Sequence, residues 1–220
     1  MGVFPILNIG ERRFDAIIAV NGSLPPLSLF EFFADVPIIA ADGALNALVD
    51  IGVVAEFLVG DLDSLRPDID LGLTHVIHDA NQESNDFEKA LQFAATSHYE
   101  ELLVVGLHGG DLEHTLNNWS VLMRYGAQGK TVALDGDRLA IPVHSSVQFT
   151  TSPGELLSII PQPSIRLTTR GLQWNLENEV LSLGIREGAR NRAIDNEVVI
   201  EVHEGSFLLF CTSPFVHSRP

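Results

Sequence analysis

The chain has 220 residues, 45% hydrophobic and 19% charged, enough for a substantial core and unlike a disordered segment. Thirteen basic residues face 29 acidic ones, a formal net charge of −16 with no Lys/Arg stripe, which argues against nucleic acid as a partner. No apolar run approaches the ~20 residues of a membrane span. Residues Met1–Gly10 lack the basic segment of a secretory signal, and the single cysteine, Cys211, excludes an internal disulfide, so the expected setting is the cytoplasm.

In chain order, short apolar runs alternate with helical patterns up to about residue 136. Ala16–Val20 and Pro37–Ala41 read as strands, the second running into Asp42-Gly43-Ala44-Leu45-Asn46, an acid and a glycine at a helix start. Phe57–Gly60 is the next strand, and Asp61-Leu62-Asp63-Ser64 follows it. If the chain stays extended there, both carboxylates point to one side. His75–His78 is another strand. Beyond it, Asn81-Gln82-Glu83-Ser84 leads into a helix over Asn85–Ser97, with Phe87, Ala90, Leu91 and Ala94 on one stripe. Asn85 and Asp86 stand where side-chain oxygens cap free N–H groups, and Lys89 shares their face, opposite the apolar stripe.

Leu102–Gly106 is a strand followed by His108-Gly109-Gly110, a turn that can bring backbone N–H groups close to an anion, and then by a helix over Asp111–Tyr125. Leu112, Leu116, Trp119 and Met123 form that helix's expected stripe, with Gly126 at its stop. Thr131–Leu134 closes this part. These strands are continuously apolar or β-branched, as in a parallel sheet covered on both faces, so 1–136 is expected to be an α/β domain with a mostly parallel sheet. From Leu139 the runs are strand-like and punctuated by turn residues: Leu156–Ile160, Ile165–Thr169, Val198–Val202 and Phe207–Cys211. Residues 137–220 therefore read as a small all-β sandwich or barrel, and the sandwich is the expected form.

The acids repeat at strand ends. In a parallel sheet those ends share one edge, where ligands of open α/β sheets sit. Asp42, Asp61, Asp63 and Asp86 gathered there repel one another unless a cation joins them, and an oxygen-only donor set favours Mg²⁺ or Mn²⁺ over zinc. Lys89 beside them suits a phosphate. The residues alone lead to a metal–phosphate site.

The ordered set Asp42-Gly43-Ala44-Leu45-Asn46, Gly60-Asp61-Leu62-Asp63-Ser64, Gln82 to Lys89 and Gly109-Gly110 to Asn117 resembles thiamine pyrophosphokinase. So do Leu157-Ser158-Ile159-Ile160-Pro161, Thr169-Arg170-Gly171-Leu172-Gln173-Trp174-Asn175-Leu176 and Asp195-Asn196 farther on. The resemblance implies transfer of a pyrophosphoryl group from ATP to the hydroxyl of thiamine, giving thiamine diphosphate and AMP. It implies Mg²⁺ on Asp61, Asp63 and Asp86, and catalytic roles for Asp61, Asp86, Lys89 and Glu113. ATP would meet Asp42, Asn46, Ser64, Asn85, Lys89, Asp111 and His114, and thiamine would meet Gln82, Trp174, Asp195 and Asn196. It also implies a homodimer whose sites lie at the subunit interface, with Trp174 supplied by the partner subunit. This chain departs from the family pattern at Asn81, Asn85, Asp111, Glu113 and Asp195, where Asp, Thr, Arg, Asp and Ser are usual. Asp111 puts an acid where an arginine would meet phosphate. Two other readings therefore stay open: a relative that binds thiamine or nucleotide with impaired catalysis, and a pyrophosphokinase for another hydroxymethyl heterocycle such as a pterin.

Overall fold

The computed structural model describes residues 4–7 and 12–215, so the reading of the first ten residues lies largely outside it. Two compact units divide the chain. One takes 13–126 and 133–136; the other takes 127–132 and the residues from Asp137 onward, with the described N-terminal residues through Arg12.

The first unit is built on parallel strands β1 (Ala16–Ala19), β2 (Ile38–Ala41), β3 (Phe57–Gly60), β4 (His75–His78) and β5 (Leu102–Val105), ordered β5-β1-β2-β3-β4. Helices α1 (Leu27–Phe32), α2 (Ala44–Asp50), α3 (Asp86–Thr96) and α4 (Leu112–Tyr125) connect or follow them. β1, β2 and β5 are buried along their whole length, which explains their unbroken apolar sequences. β4 corrects the expectation of coverage on both faces. It is the edge strand and all four of its residues are exposed, so its His-Val-Ile-His sequence meets solvent.

α3 packs over β1, β2 and β3. Its stripe of Phe87, Ala90, Leu91 and Ala94 is buried as the spacing predicts, and Asn85 caps it by accepting a bond from the Glu88 N–H at 2.9 Å. Lys89 differs from expectation: it is only 4% exposed, drawn inward to Asp86 rather than lying on an open face. In α4 the expected stripe also fails at its start. Leu112 and Leu116 are 68% and 62% exposed, and the buried residues are Val121, Leu122 and Met123, because only the second half of the helix is covered.

β6 (Thr131–Asp135) is followed in the second unit by β7 (Arg138–Val143), β8 (Val147–Thr150), β9 (Leu156–Arg170), β10 (Glu179–Ser182), β11 (Gly188–Arg192) and β12 (Glu197–Thr212). The four runs read from the sequence are two long strands, β9 and β12, paired antiparallel through most of their length. Pro161 and Pro163 do not end β9, nor does Gly205 end β12. The β9–β12 register shifts between Val202 and Glu204 and again between Gly205 and Phe207, and such irregularities let a strand bend without stopping. Gly205, at φ +86°, lies so close to the Ser164 carbonyl that a side chain would collide with it. On one side of this bend β7 and β11 flank the pair; on the other side β8 and β10 do. Two long strands thus serve two four-stranded faces, the corner arrangement of a sandwich. Apolar residues of both halves, Leu157, Ile159, Leu167, Val198, Ile200 and Leu209 among them, are buried.

No helix among the described residues is long and apolar enough to cross a membrane. Cys211 is buried in β12, and that burial pushes its thiol up to about 12, which leaves it an inert core residue.

Candidate functional site

At the carboxyl edge of the parallel sheet each strand passes into a tight turn. After β2 comes Asp42, held at φ +38° and only 1% exposed. One of its oxygens accepts the Ser64 N–H at 3.1 Å; the other, Oδ1, is buried without a hydrogen-bond partner among the described residues. Burial raises the Asp42 carboxyl above its ordinary value. The hydrogen bonds from Ser64 oppose that rise, and the nearby Asp86 and Asp61 charges add to it.

β3 ends at Gly60, where a side chain would press on Asp42 and would lie 3.1 Å from Oδ1 of Asp86. The chain then turns instead of staying extended, since Leu62 sits at φ +71°. Asp61 and Asp63 converge through this turn: the Asp63 N–H approaches Asp61 Oδ1 at 3.4 Å, and the Ser64 hydroxyl donates to Asp63 at 3.0 Å. Oxygens of Asp42, Asp61 and Asp63 all lie within 4.8 Å of one another. Gln82 donates to Asp61 at 2.7 Å, and that bond, with the Asp63 N–H next, holds the Asp61 carboxyl below its ordinary value. Asn46 braces the turn by donating to the Ser64 carbonyl at 2.8 Å and accepting the Arg66 N–H at 3.0 Å.

Behind this group stands the buried ammonium of Lys89, 3.0 Å from Asp86. Asn85 reaches Asn118 at 3.3 Å, which in turn donates to the Leu107 carbonyl. The structure thus brings Asp42, Asn46, Asp61, Asp63, Ser64 and Gln82 into one network, with Asp86 and Lys89 joined to it across Gly60. Asp111, Glu113 and His114 are exposed at the start of α4, and Asp111 occupies the N-cap position without a side-chain capping bond.

Sequence reasoning passed over the turn after β1. Asn21 lies against Gly43, and Gly22 and Ser23 fit against the β5 turn, where Ser23 donates its N–H to the His108 carbonyl at 2.7 Å. The strand-end logic that singled out Asp42 and Asp61 applies equally to Asn21-Gly22-Ser23.

In the second unit Trp174 is 58% exposed, so it is not a core tryptophan. Its loop is fastened by Asn191, which accepts the Trp174 N–H at 3.2 Å and donates to its carbonyl at 2.8 Å. Asp195 and Asn196 are exposed in the turn before β12, their carbonyls held by Thr151.

An oxygen-only cluster beside a buried lysine, at the edge of a parallel sheet, has the chemistry of a metal–phosphate site, and the family matches define the class as a phosphate-handling transferase. Residues 34–134 match the family model for the thiamin pyrophosphokinase catalytic domain, and residues 142–207 match that for its vitamin B1 binding domain. The chain belongs to the thiamin pyrophosphokinase family and is an enzyme of that pyrophosphotransferase class.

Among relatives, it is 26% identical over 189 residues to thiamin pyrophosphokinase 1 of Caenorhabditis elegans, covering 78% of this chain and 76% of the relative. It is 30% identical over 181 residues to thiamine pyrophosphokinase 2 of Arabidopsis thaliana, covering 72% and 65%. The fold resembles yeast thiamin pyrophosphokinase at TM-score 0.78 and 16% identity, covering 96% of this chain and 92% of that one. It also resembles the Bacillus subtilis enzyme at TM-score 0.73 and 20% identity, covering 90% and 99%.

Proposed function

We propose that this chain transfers the pyrophosphoryl group of ATP to thiamine with the carboxylates and lysine of its own sheet edge. The observation that carries the reading is the convergence of Asp42, Asp61 and Asp63 within 4.8 Å, beside Lys89 and Asp86. The donor set fits Mg²⁺: every atom offered is oxygen, and Asp42 keeps a buried oxygen with no partner among the described residues. Asp61, Asp63 and Asp86 would hold the ion, with Asp42 close behind. Bound there, it would neutralise phosphate charge and so favour attack on phosphorus.

The thiamine hydroxyl oxygen bonds to the β-phosphorus, the bond from that phosphorus to the oxygen bridging the α-phosphorus breaks, AMP leaves, and the hydroxyl proton passes to solvent. Lys89 supplies fixed positive charge to the transferred group, and its burial makes that charge count for more than it would in water. Asn46, Ser64, Asn85 and His114 are assigned to ATP, with Glu113 at the reacting end. Asp111 is assigned beside the phosphates, where its charge weakens ATP binding. Trp174, Asp195, Asn196 and Gln82 are assigned to thiamine, and the open face of Trp174 suits a cationic aromatic ring. The assembly assigned is a homodimer in the cytoplasm, a reducing compartment that suits a chain with one buried cysteine.

The test is direct. Purified protein with Mg²⁺, ATP and thiamine is expected to release AMP and thiamine diphosphate in equal amounts. Asp61→Asn is expected to slow turnover by about a hundredfold or more. Normal turnover by that variant would refute the assignment. Nucleotide binding without AMP release would leave a catalytically impaired relative.

A further inference from the structure

We propose that His108, oriented by Asp135, binds the nucleoside end of ATP. The inference rests on the reading that the nucleotide lies along this sheet edge, and it gives a role to two side chains that had none in the sequence reading. Nδ1 of His108 lies 2.6 Å from Oδ1 of Asp135, the last residue of β6, in the part of that strand that belongs to the α/β unit. Nδ1 is buried and the contact lacks regular hydrogen-bond angles, but a proton on Nδ1 makes that close approach attractive, and Asp135 then orients the ring. In its uncharged form the ring then offers Nε2 as a hydrogen-bond acceptor, and Nε2 makes no hydrogen bond among the described residues. The side chain is 44% exposed, open enough to meet a ligand.

The ring stands on a turn with little freedom. Its carbonyl accepts the Ser23 N–H at 2.7 Å. Gly109, at φ +101°, leaves no room for a side chain, which would lie 2.7 Å from the Ser23 nitrogen.

Position and chemistry then select the part of the nucleotide. Along the order β5-β1-β2-β3, His108 follows β5, while Asp42 and Asp61 follow β2 and β3. Two to three strand spacings separate them, about 10 to 14 Å. With the phosphates at the acids, that span leads to the ribose and base. The chemistry agrees: a neutral imidazole acceptor has nothing to offer an ionised phosphate oxygen, which also only accepts. It matches the donors of a nucleoside, the ribose hydroxyls and the exocyclic amine.

The experiment measures calorimetric binding of a non-hydrolysable ATP analogue and, separately, of tripolyphosphate, both with Mg²⁺, to wild type, His108→Ala, His108→Gln and Asp135→Asn. Loss of the acceptor in His108→Ala is expected to weaken the analogue about tenfold while tripolyphosphate changes by less than about twofold. His108→Gln, whose amide oxygen still accepts, is expected to recover part of the loss, and Asp135→Asn to show a smaller loss than His108→Ala. Unchanged melting temperatures would separate binding from folding, and a glutamine variant that folds decides the matter if the alanine variant does not. Equal weakening of both ligands would make His108 a phosphate contact and overturn the assignment, as would no weakening of either. Deoxy analogues lacking the 2′ or 3′ hydroxyl locate the contact, since a lost hydroxyl abolishes the difference between wild type and His108→Ala. A wild type that binds the analogue yet makes no AMP from thiamine and ATP defeats the proposed reaction while leaving the His108 question to the variants. A wild type that binds no nucleotide defeats both.

Discussion

Asp42 shows how one residue can be costly to the fold and useful to the site. Its carboxylate is almost wholly buried, has one oxygen without a partner and faces the charges of Asp61 and Asp86. Its carboxyl value is raised in the folded protein, so the native state binds a proton more tightly than the unfolded chain does. The stability tied to that proton is present at low pH and is lost as pH rises through the folded value. Asp42→Asn, which also suits the left-handed backbone at φ +38°, is therefore expected to stabilise the metal-free protein at pH 7 by roughly 1 kcal/mol. The gain should vanish below the ordinary carboxyl value of 3.8 and shrink when Mg²⁺ is added. Thermal melts across pH, with and without the ion, check this; a variant less stable than wild type at pH 7 without metal would contradict it.

Among the elements, α3 carries the most chemistry for its length. One face buries Phe87, Ala90, Leu91 and Ala94, while its first turns present Asp86 and Lys89 to the site. Its start is fixed by the bond between the Asn85 side chain and the Glu88 N–H, and its side is fastened to α4 by the Tyr125 hydroxyl donating to Glu88 at 2.5 Å. Removing the cap with Asn85→Ala is expected to cost about 1 kcal/mol in chemical denaturation. Because the frayed turn is the one that places Asp86 and Lys89, and Asn85 is itself assigned to ATP, turnover should fall by more than that loss of stability explains. Full activity alongside the stability loss would show that Asn85 serves folding alone and does not meet ATP.

For the whole molecule, the proposed homodimer makes a prediction that no single-subunit site can imitate. Asp61→Asn disables the α/β unit and Trp174→Ala the β unit, and each variant alone is expected to be nearly inactive. If each site draws Asp61 from one subunit and Trp174 from the other, mixing and reassembling the two variants creates one intact site in every mixed dimer. About a quarter of wild-type activity should return. No recovery, with mixed dimers verified by mass, would place both residues of a site on one chain.

Much of this was legible in the residues because local order and local chemistry coincide. Apolar strands bounded by Asp42, by Asp61-Leu62-Asp63 and by Asn85-Asp86 announce both a parallel sheet and acids at one edge, since strand alternation and helix capping depend only on near neighbours. The ordered motifs on both sides of residue 136 announced the family. Other features depend on residues distant in the chain, and the folded structure alone decided them. Lys89 is buried because α3 lies on β1–β3, Leu112 and Leu116 are bare because no described residue covers the first half of α4, and β12 runs through Gly205 because β9 bends with it. The pairing of His108 with Asp135, 27 positions apart, is of the same kind, for a side chain's partner across neighbouring strands is set by packing and not by spacing.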